Sequence, residues 1–354
     1  MNILYLNNSM HLGGDTKCIL NLCREFKSTN KIIAASKGGK LIKEFKNMNI
    51  KHYYIKDVLN KFPHVIIFNI FRLIKIVKYE NIEIIHSHHR MTTFIAKIVS
   101  KFIKVKVIHT QHAIIKDKKI LTRMTFKHIT IIAVSNAVKE NLINDYKLDS
   151  NMIKVIYNAI DNRKSNKEVD LRILEYKKQG FFLVGCISRI TKGKGIRVFI
   201  DAANSINKHG KKIKFIIIGD GDKRIELENY CKKMDIDNVD FLGFKSNVID
   251  YISNLDLIVQ PSYSEGLGLT AIEALSQSKP VIASDIPALR EVVIDNYNGL
   301  LFPPGNSKQL VKAIYRVFNN KDLKTKLSEN AFRHYNDVFN SKSYYVRHKK
   351  IYEY

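Results

Sequence analysis

The chain has 354 residues, 45% of them hydrophobic, and its 59 Lys and Arg against 33 Asp and Glu give a formal net charge of +26. This length favours two domains over one, and apolar runs no longer than a strand argue against a membrane-spanning helix. The four cysteines lack CxxC spacing, and no charged leader or cleavage site precedes the first apolar run. We therefore expect a cytoplasmic protein with buried free thiols.

Short β-branched runs alternate with amphipathic segments along the whole chain. In the first half, strands are predicted at 3–7, 31–35, 82–86, 105–110 and 129–134. After a polar stretch at 161–170 the pattern restarts, with strands predicted at 181–188, 215–219, 239–242, 257–260 and 281–284. This alternation is typical of an α/β protein with parallel sheets, here in two doubly wound, Rossmann-like domains.

The interruption of this pattern sets the expected domain boundaries. We predict an N-terminal domain at 1–162, a linker at 163–178 and a C-terminal domain at 179–338. The remaining segment, 339–354, could return to the N-terminal domain. Since ligands of open parallel sheets bind beyond the carboxyl ends of the strands, we expect the chemistry in loops that follow strands, in a cleft between the two sheets.

The segment 260–275 is predicted to run from a strand through a glycine-containing turn into a helix. Its glycines, Gly266 and Gly268, would let the backbone approach a ligand closely, and the helix N-terminus would present amides to an anion. Glu265 precedes this turn and Glu273 lies on the helix. We interpret the two carboxylates as acceptors for the hydroxyls of a sugar and a ribose; the alternative is an ordinary strand–turn–helix with a capping carboxylate.

A second glycine-rich loop, 185–195, follows another predicted strand. It carries Arg189 and Lys194, five residues apart. Arg offers a planar fork to phosphate and Lys a point charge, so together they could neutralise a departing diphosphate. The alternative is a solvated basic loop, and Lys192 lies off the pattern.

Two further glycine turns are weaker signals. Gly219 begins a Gly-Asp-Gly-Asp turn directly after a predicted strand, and by itself this is only a turn. Gly13 and Gly14 open the first helix and could approach a phosphate or another substrate group. They do not form GxGxxG, and no acidic residue ends the second strand, which argues against a dinucleotide-dependent dehydrogenase.

Histidines cluster after or at the ends of strands in the first half, namely His86, His88, His89, His109 and His112. No cysteine partner and no HExxH pattern accompanies them, so we do not expect a metal site. We interpret His112 as a contact to a donor sugar at the mouth of the cleft, with a solvated loop histidine as the alternative.

Together these segments resemble the retaining nucleotide-sugar glycosyltransferases of glycosyltransferase family 4, whose GT-B fold has two Rossmann-like domains facing each other across a cleft. The resemblance covers nearly the whole chain. Its most specific element is the Glu-x7-Glu spacing of Glu265 and Glu273, and Arg189 with Lys194-Gly195 fits an Arg-x4-Lys-Gly pattern. Further matches are Gly13-Gly14, Thr110-Gln111-His112, Val134-Ser135, and the segments 155–161, 280–284 and 299–302. Ser188 and Ala159 stand where the family usually has glycine.

The resemblance implies roles for individual residues. Arg189 and Lys194 would bind the donor diphosphate, Glu265 and His112 the donor sugar, and Glu273 the ribose. These roles make Glu265, His112, Arg189 and Lys194 the expected catalytic residues. Further donor contacts are expected at Gly13, Gly14, Gly219, Gly266, Leu267, Gly268 and Leu269.

The implied reaction is attack of an acceptor hydroxyl on the anomeric carbon of a nucleoside-diphosphate sugar, with retention of configuration. We expect no metal and no other cofactor. The expected acceptor is a lipid-linked or other glycan in bacterial envelope polysaccharide synthesis. Two alternatives stay open: a GT-B enzyme of other chemistry, such as a nucleotide-sugar epimerase or a phosphorylase, and a basic nucleic-acid-binding protein. The second lacks a base-reading or RNA-binding signature, so no nucleic-acid partner is expected.

The positive charge is uneven along the chain. Residues 1–160 carry 27 Lys and Arg against 10 Asp and Glu, which points to an anionic partner. The segment 65–78 combines apolar residues with Arg72, Lys75 and Lys78, a pattern suited to an anionic lipid surface. We therefore expect peripheral binding to the inner face of a membrane; the alternative is a helix packed on its own sheet in a lysine-rich chain.

Overall fold

The computed structural model describes residues 1–11, 13–60, 62–160, 168–207 and 211–353. They form two compact units: unit 1 comprises Met1–Ala159 and Ser341–Tyr354, and unit 2 comprises Ile160–Asn340. Each unit contains one parallel sheet with helices packed on it. No helix in these ranges is both long enough and apolar enough to cross a bilayer.

Unit 1 is built on a seven-stranded sheet in the order β3-β2-β1-β4-β5-β6-β7. Its strands are β1 (Asn2–Leu6), β2 (Lys31–Ser36), β3 (Lys51–Tyr54), β4 (Ile84–Ser87), β5 (Lys106–Gln111), β6 (Thr130–Ala133) and β7 (Ile153–Val155). The order reverses at β1 and β4, so right-handed crossovers place helices on both faces. The sheet is therefore doubly wound, as the sequence predicts.

The helices of unit 1 are α1 (Gly14–Phe26), α2 (Ile42–Asn47), α3 (Pro63–Tyr79), α4 (Arg90–Val99), α5 (Lys119–Phe126), α6 (Asn136–Asn144) and, from the end of the chain, α15 (Ser341–Glu353). Helix α15 packs beside α1 and buries Tyr344 and Tyr352 in the core of the unit. The C-terminal segment therefore contributes to the hydrophobic core of the N-terminal unit.

Unit 2 has a six-stranded sheet in the order β10-β9-β8-β11-β12-β13. The strands are β8 (Phe182–Ile187), β9 (Ile213–Ile218), β10 (Val239–Gly243), β11 (Leu257–Gln260), β12 (Val281–Ser284) and β13 (Gly299–Phe302). The helices are α7 (Leu171–Lys178), α8 (Ile196–Asn207), α9 (Arg224–Lys233), α10 (Val248–Asn254), α11 (Leu269–Ser276), α12 (Pro287–Arg290), α13 (Ser307–Phe318) and α14 (Lys321–Val338). This sheet is doubly wound too, and its order reverses at β8 and β11.

One part of the expected linker is wrong. Residues 163–167 lie outside the described residues, but 171–178 form α7, which belongs to unit 2 rather than to a connecting segment. The Asp170 side chain caps this helix by accepting from the Arg172 N–H, and Ile173 is fully buried. Ile173 is the buried residue that anchors α7. A single apolar residue in a polar stretch is a weak signal, so the sequence did not predict this helix.

The loops that follow β8 and β11 meet through backbone atoms. Gly195 has a φ of +66°, and a Cβ at this position would lie 1.9 Å from the carbonyl oxygen of Pro261. The N–H of Tyr263 donates to the carbonyl of Gly193 at 3.0 Å. Glycine is thus required at 195 both for the left-handed backbone and for the close approach of the two loops.

The same loop is supported on its other side by the turn after β9. Gly219 has a φ of +141°, and a Cβ there would lie 1.9 Å from the Ser188 carbonyl oxygen. A Cβ at Gly221 would lie 2.3 Å from the carbonyl oxygen of Ile190, whose N–H donates to the Asp220 carbonyl at 2.9 Å. The loop after β8 is therefore held between its two neighbours.

We expect Gly195→Ala to lower the free energy of unfolding of unit 2 by about 1–3 kcal/mol, because the new Cβ would collide with Pro261 and strain the backbone. Urea unfolding followed by circular dichroism measures this. The matched control is Gly193→Ala in the same loop, where a Cβ would have nothing within 4 Å, so a change within about 0.5 kcal/mol is expected. Equal stability of the two variants would contradict this account of the loop.

Candidate functional site

The reversal point of the sheet in unit 2 locates the candidate site. Strands β8 and β11 are neighbours, yet the chain leaves them toward opposite edges of the sheet. Open α/β sheets bind ligands in the crevice at such a reversal, beyond the carboxyl ends of the strands, and the loops that follow the two strands contact each other at this point. The loop with Arg189 and Lys194 follows β8, and the segment with Glu265 follows β11, so the fold brings the two strongest sequence signals together.

Lys194 and Glu265 form an ion pair at this point. The distance from Lys194 Nζ to Glu265 Oε1 is 2.6 Å, and the two side chains are 21% and 12% exposed. A charge-assisted hydrogen bond of this length is strong, and partial removal from water strengthens it further. The pair links the loop after β8 to the loop after β11 through side chains, next to the backbone contact of Gly195.

Two more donors converge on the same carboxylate oxygen. Gln260 Nε2 donates to Glu265 Oε1 at 3.0 Å and Ser262 Oγ donates to it at 2.8 Å. Both side chains are buried. Among the described residues nothing donates to the other oxygen, Oε2, so the carboxylate is fixed by one oxygen and offers the second to a ligand.

Sequence reasoning did not assign a role to Gln260 or Ser262. Both lie in the segment singled out for Glu265, but their role depends on the way in which the chain turns after β11. The signal that could have identified them is the presence of two polar residues directly before a predicted functional carboxylate. Gln260 Oε1 is buried and has no hydrogen-bond partner among the described residues, so this amide remains partly unsatisfied.

Arg189 occupies an exposed position in the loop after β8. In the described part of the chain, no carboxylate pairs with its guanidinium. Its five donors are therefore available to an anion at the crevice. This contrasts with Lys194, which already has a carboxylate partner.

Helix α11 begins at the same crevice. Its N-cap is Gly268, with a φ of +101° and no side-chain capping bond, so amides of the first turn remain for an anion. Thr270 Oγ1 donates to the Ile187 carbonyl at 3.1 Å and ties this turn to the end of β8. Glu273 lies one turn further along α11 and is buried. The predicted donor-binding residues at 266–269 thus form the turn that leads into the helix.

Two of the predicted contacts of unit 1, Gly13 and Gly14, lie after β1. Gly13 is the N-cap of α1 and Gly14 its first residue. A Cβ at Gly13 would lie 2.7 Å from Asp15 Oδ1, while Asp15 Oδ2 accepts from Asn7 Nδ2 at 2.9 Å. Gly13 therefore makes room for the Asp15 carboxylate, which orders the turn. A contact between Gly13 and the sugar donor stays a prediction.

The histidines form hydrogen-bond pairs, in which His86, His88 and His109 are buried and His112 is half-buried. His112 Nε2 lies 2.9 Å from His88 Nδ1, and the two rings stack with centroids 5.2 Å apart. His86 bonds Thr110 Oγ1 through Nε2 and the Tyr352 hydroxyl of α15 through Nδ1, both at 2.7 Å. Among the described residues, no group of three His, Cys, Asp or Glu side chains could hold a metal ion.

Burial keeps these imidazoles neutral near pH 7. Desolvation lowers the pKa of His112 to about 4 and that of His109 to about 3, and it lowers the pKa values of His86 and His88 as well. A neutral imidazole has one donor and one acceptor nitrogen, so in the bond between His88 and His112 one ring donates and the other accepts. His112 therefore offers a ligand a neutral hydrogen-bonding nitrogen, Nδ1, rather than a positive charge.

Comparisons with known proteins agree with this geometry. A family model described as Glycosyltransferase Family 4 matches residues 12–164, and one described as Glycosyl transferases group 1 matches residues 171–334. An uncharacterised glycosyltransferase of Methanocaldococcus jannaschii is 31% identical over 97% of this chain and 95% of its own length.

Two more relatives extend the comparison to named activities and to the fold. The UDP-Gal:alpha-D-GlcNAc-diphosphoundecaprenol alpha-1,3-galactosyltransferase of Escherichia coli is 27% identical over 71% of this chain and 70% of its own. The crystal structure of Anabaena HepE in complex with UDP superposes with a TM-score of 0.86 at 20% identity, over 99% of both chains. Both the predicted family and the predicted fold are confirmed: the chain belongs to the family 4 glycosyltransferases and has the GT-B fold.

Proposed function

We propose that this glycosyltransferase moves a sugar from a nucleoside-diphosphate sugar to the hydroxyl of a lipid-linked or other envelope glycan, with retention of anomeric configuration and without a metal. One observation carries the proposal. Lys194 and Glu265 are paired at 2.6 Å where the sheet of unit 2 reverses, beside the exposed Arg189 and the N-terminus of α11. Cationic groups for a diphosphate and a carboxylate for sugar hydroxyls are thus held next to each other.

The donor diphosphate would meet three positive groups. Arg189 has no carboxylate partner among the described residues, the ammonium group of Lys194 has further N–H donors for phosphate oxygens while one stays on Glu265, and the first-turn amides of α11 add a partial positive charge. As the bond to the sugar breaks, negative charge accumulates on the diphosphate, and preorganised cations stabilise that charge more than the ground state. This takes over the task that a divalent cation performs in other sugar transferases, which is why we propose metal independence.

The sugar and the ribose would be held by the two carboxylates. Glu265 Oε2 has no donor among the described residues, whereas Oε1 accepts from Lys194, Gln260 and Ser262. Sugar hydroxyls can therefore donate to Oε2 without disturbing the rest of the cluster. Glu273, one turn along α11, would accept from the ribose hydroxyls. We also propose that the neutral His112, oriented by His88, contacts the donor sugar.

The hydrogen bonds to Glu265 favour retention without a covalent glycosyl-enzyme. A carboxylate whose oxygen accepts three hydrogen bonds, one from an ammonium group, is a weak nucleophile. We propose instead that the acceptor oxygen attacks the anomeric carbon on the face from which the diphosphate leaves. The carbon–oxygen bond to the phosphate breaks, the new glycosidic bond forms, and the acceptor proton passes to a phosphate oxygen of the leaving group.

The proposed substrates are supported by the relatives. The E. coli relative uses UDP-Gal, acts on a sugar linked to diphosphoundecaprenol and makes an alpha-1,3 bond, and HepE binds UDP. We therefore propose a uridine-type nucleotide sugar as the first donor to examine, with a polyprenyl-diphosphate-linked sugar as acceptor.

A transfer assay tests the function directly. We expect turnover with one of the UDP-, GDP- or ADP-sugars and a polyprenyl-diphosphate-linked acceptor, an unchanged anomeric configuration by NMR, and full activity in EDTA. An inverted product would overturn retention. Loss of activity in EDTA that added Mg²⁺ restores would overturn metal independence, and conversion of the donor sugar without acceptor would point to an epimerase.

Glu265→Gln should reduce transfer by about a hundredfold or more while leaving UDP affinity within a few-fold of the parent, because it removes charge from the sugar contact and not from the diphosphate contact. Turnover and isothermal titration with UDP separate the two effects. The matched control is Glu175→Gln at an exposed position of α7, which should behave as the parent. Near-normal turnover of a folded Glu265→Gln variant would show that Glu265 has another role.

Arg189→Ala and Lys194→Ala should each weaken UDP binding by about tenfold to a hundredfold, the usual loss for a hydrogen bond to a charged group. The double variant should lose less than the product of the two, since both side chains would contact the same diphosphate. Lys192→Ala in the same loop is the control and should bind within about twofold of the parent. Unchanged affinity in both single variants would place the diphosphate elsewhere.

A further inference from the structure

We propose that unit 1 docks on an anionic lipid bilayer through the outer surface of α3, α4 and α5, here called the basic helical layer. The three helices pack side by side, α3 against α4 and α4 against α5. This inference concerns where the protein works rather than which bond it makes, and it does not rest on the proposed transfer reaction.

Helix α3 has apolar residues on both its inner and its outer face. Val65, Leu73, Ile76 and Val77 are buried against the unit. The opposite face exposes Ile67 by 51% and Phe71 by 62%, together with the less exposed Phe68 and, just before the helix, Phe62. A helix that only packed on its own sheet would place polar side chains on this outer face. Adjacent exposed aromatic and branched side chains favour contact with an apolar phase.

Exposed apolar residues continue across the layer. Ile120 and Met124 lie four residues apart on α5, so they share one face of the helix, and they are 78% and 61% exposed. Phe102, directly after α4, is also exposed. Lys97 of α4 donates to the carbonyls of Met124 and Lys127 at 2.5 and 2.7 Å, which fixes α5 against α4 and makes the layer one continuous surface.

The charge of this surface is strongly one-sided. Residues 61–127 contain 14 Lys and Arg but only three acidic residues. Glu80 is buried and bonds Lys31 and Lys51, Asp117 pairs with Arg90, and Glu83 accepts from the backbone N–H of Asn2. The exposed cations of these helices are Lys75, Lys78, Lys119 and Arg123, and those of the segments that flank them are Lys101, Lys104, Lys116, Lys118 and Lys127. All three carboxylates thus have hydrogen-bond or ion-pair partners, and the lysines make the electrostatic potential of this surface positive.

An anionic bilayer fits both properties, whereas the other partners fit only one. Nucleic acid would satisfy the lysines but would leave Ile67, Phe71 and Ile120 in water. A second copy of the same face would cover the apolar side chains but would bring two positively charged surfaces together. In a bilayer, lysines bind anionic headgroups while Phe and Ile side chains enter the acyl boundary.

Vesicle co-sedimentation of the 354-residue chain tests the proposal. We expect pelleting with phosphatidylglycerol-containing vesicles at low salt, little with pure phosphatidylcholine, and release at high salt. The charge variant Lys75→Glu/Lys78→Glu should bind at least about tenfold more weakly, because each lysine near an anionic surface contributes about a factor of five. The apolar variant Ile67→Ser/Phe71→Ser should also bind vesicles more weakly than the parent, including at salt concentrations that have already weakened the electrostatic contribution to binding.

Matched controls come from unit 2. Helix α9 carries exposed Lys232 and Lys233 and the exposed Ile225. Lys232→Glu/Lys233→Glu makes the same charge change away from the layer, and Ile225→Ser is the control for the single variant Ile67→Ser. They should bind vesicles as the parent does. UDP affinity reports independently on unit 2, so a failed transfer reaction and a failed membrane contact are distinguishable.

Several outcomes would overturn the proposal. Absence of pelleting at low salt is one, and equal pelleting with pure phosphatidylcholine is another. Equal losses in the layer variants and the α9 variants would show that net charge alone binds the vesicles. Displacement from vesicles by duplex RNA at equal phosphate concentration, or a concentration-dependent dimer abolished by Ile67→Ser/Phe71→Ser, would assign the face to nucleic acid or to a second copy.

Discussion

The ion pair of Lys194 and Glu265 is the contact on which the arrangement of the donor-side loops depends. A half-buried ammonium group or carboxylate without a partner would be unfavourable, and each group offsets the cost of the other. The pair can form only because Gly195 lets the loop after β8 touch the Pro261 carbonyl, with a Cβ position 1.9 Å from that oxygen. Charge and close backbone packing therefore reinforce each other at one point, the reversal of the sheet.

Unit 1 depends on a comparable contact, made by residues far apart in the chain. The Tyr352 hydroxyl on α15 bonds both His86 Nδ1 at 2.7 Å and the Tyr5 hydroxyl at 3.1 Å. His86 lies next to His88, with ring centroids 4.3 Å apart, and His88 in turn holds His112. The C-terminal helix thus supports a row of neutral side chains, His86 and His88, that orients His112. The sequence around His112 does not indicate this dependence.

Much of this could be predicted from the sequence because the signals are local. The predicted strands agree with the observed ones to within one or two residues. Lys194 and Glu265, selected from the sequence, meet in the structure, while their roles and that of Arg189 stay predictions. Three strands were not predicted, each for a physical reason. β3 is an edge strand of sequence Lys-His-Tyr-Tyr, β7 has only three residues, and β13 is an edge strand of four residues that begins with glycine. Gln260 and Ser262 were not predicted as ligands of Glu265, since their convergence on one oxygen depends on how the chain turns after β11.

The positive charge shows why composition alone could not assign these roles. A net charge of +26 is equally compatible with a lysine-rich genome, a phosphate site or a lipid surface. The structure separates these uses by the neighbours of each cation. Lys194 is paired with a carboxylate that also accepts from Gln260 and Ser262, at the place where we propose that a diphosphate binds. The lysines of the basic helical layer have almost no acidic neighbours and lie among exposed Phe and Ile side chains, which hydrate poorly. A small anion could neutralise these lysines but would leave the apolar side chains exposed to water, which is unfavourable. An extended partner that is anionic and partly apolar can cover both the lysines and the apolar side chains.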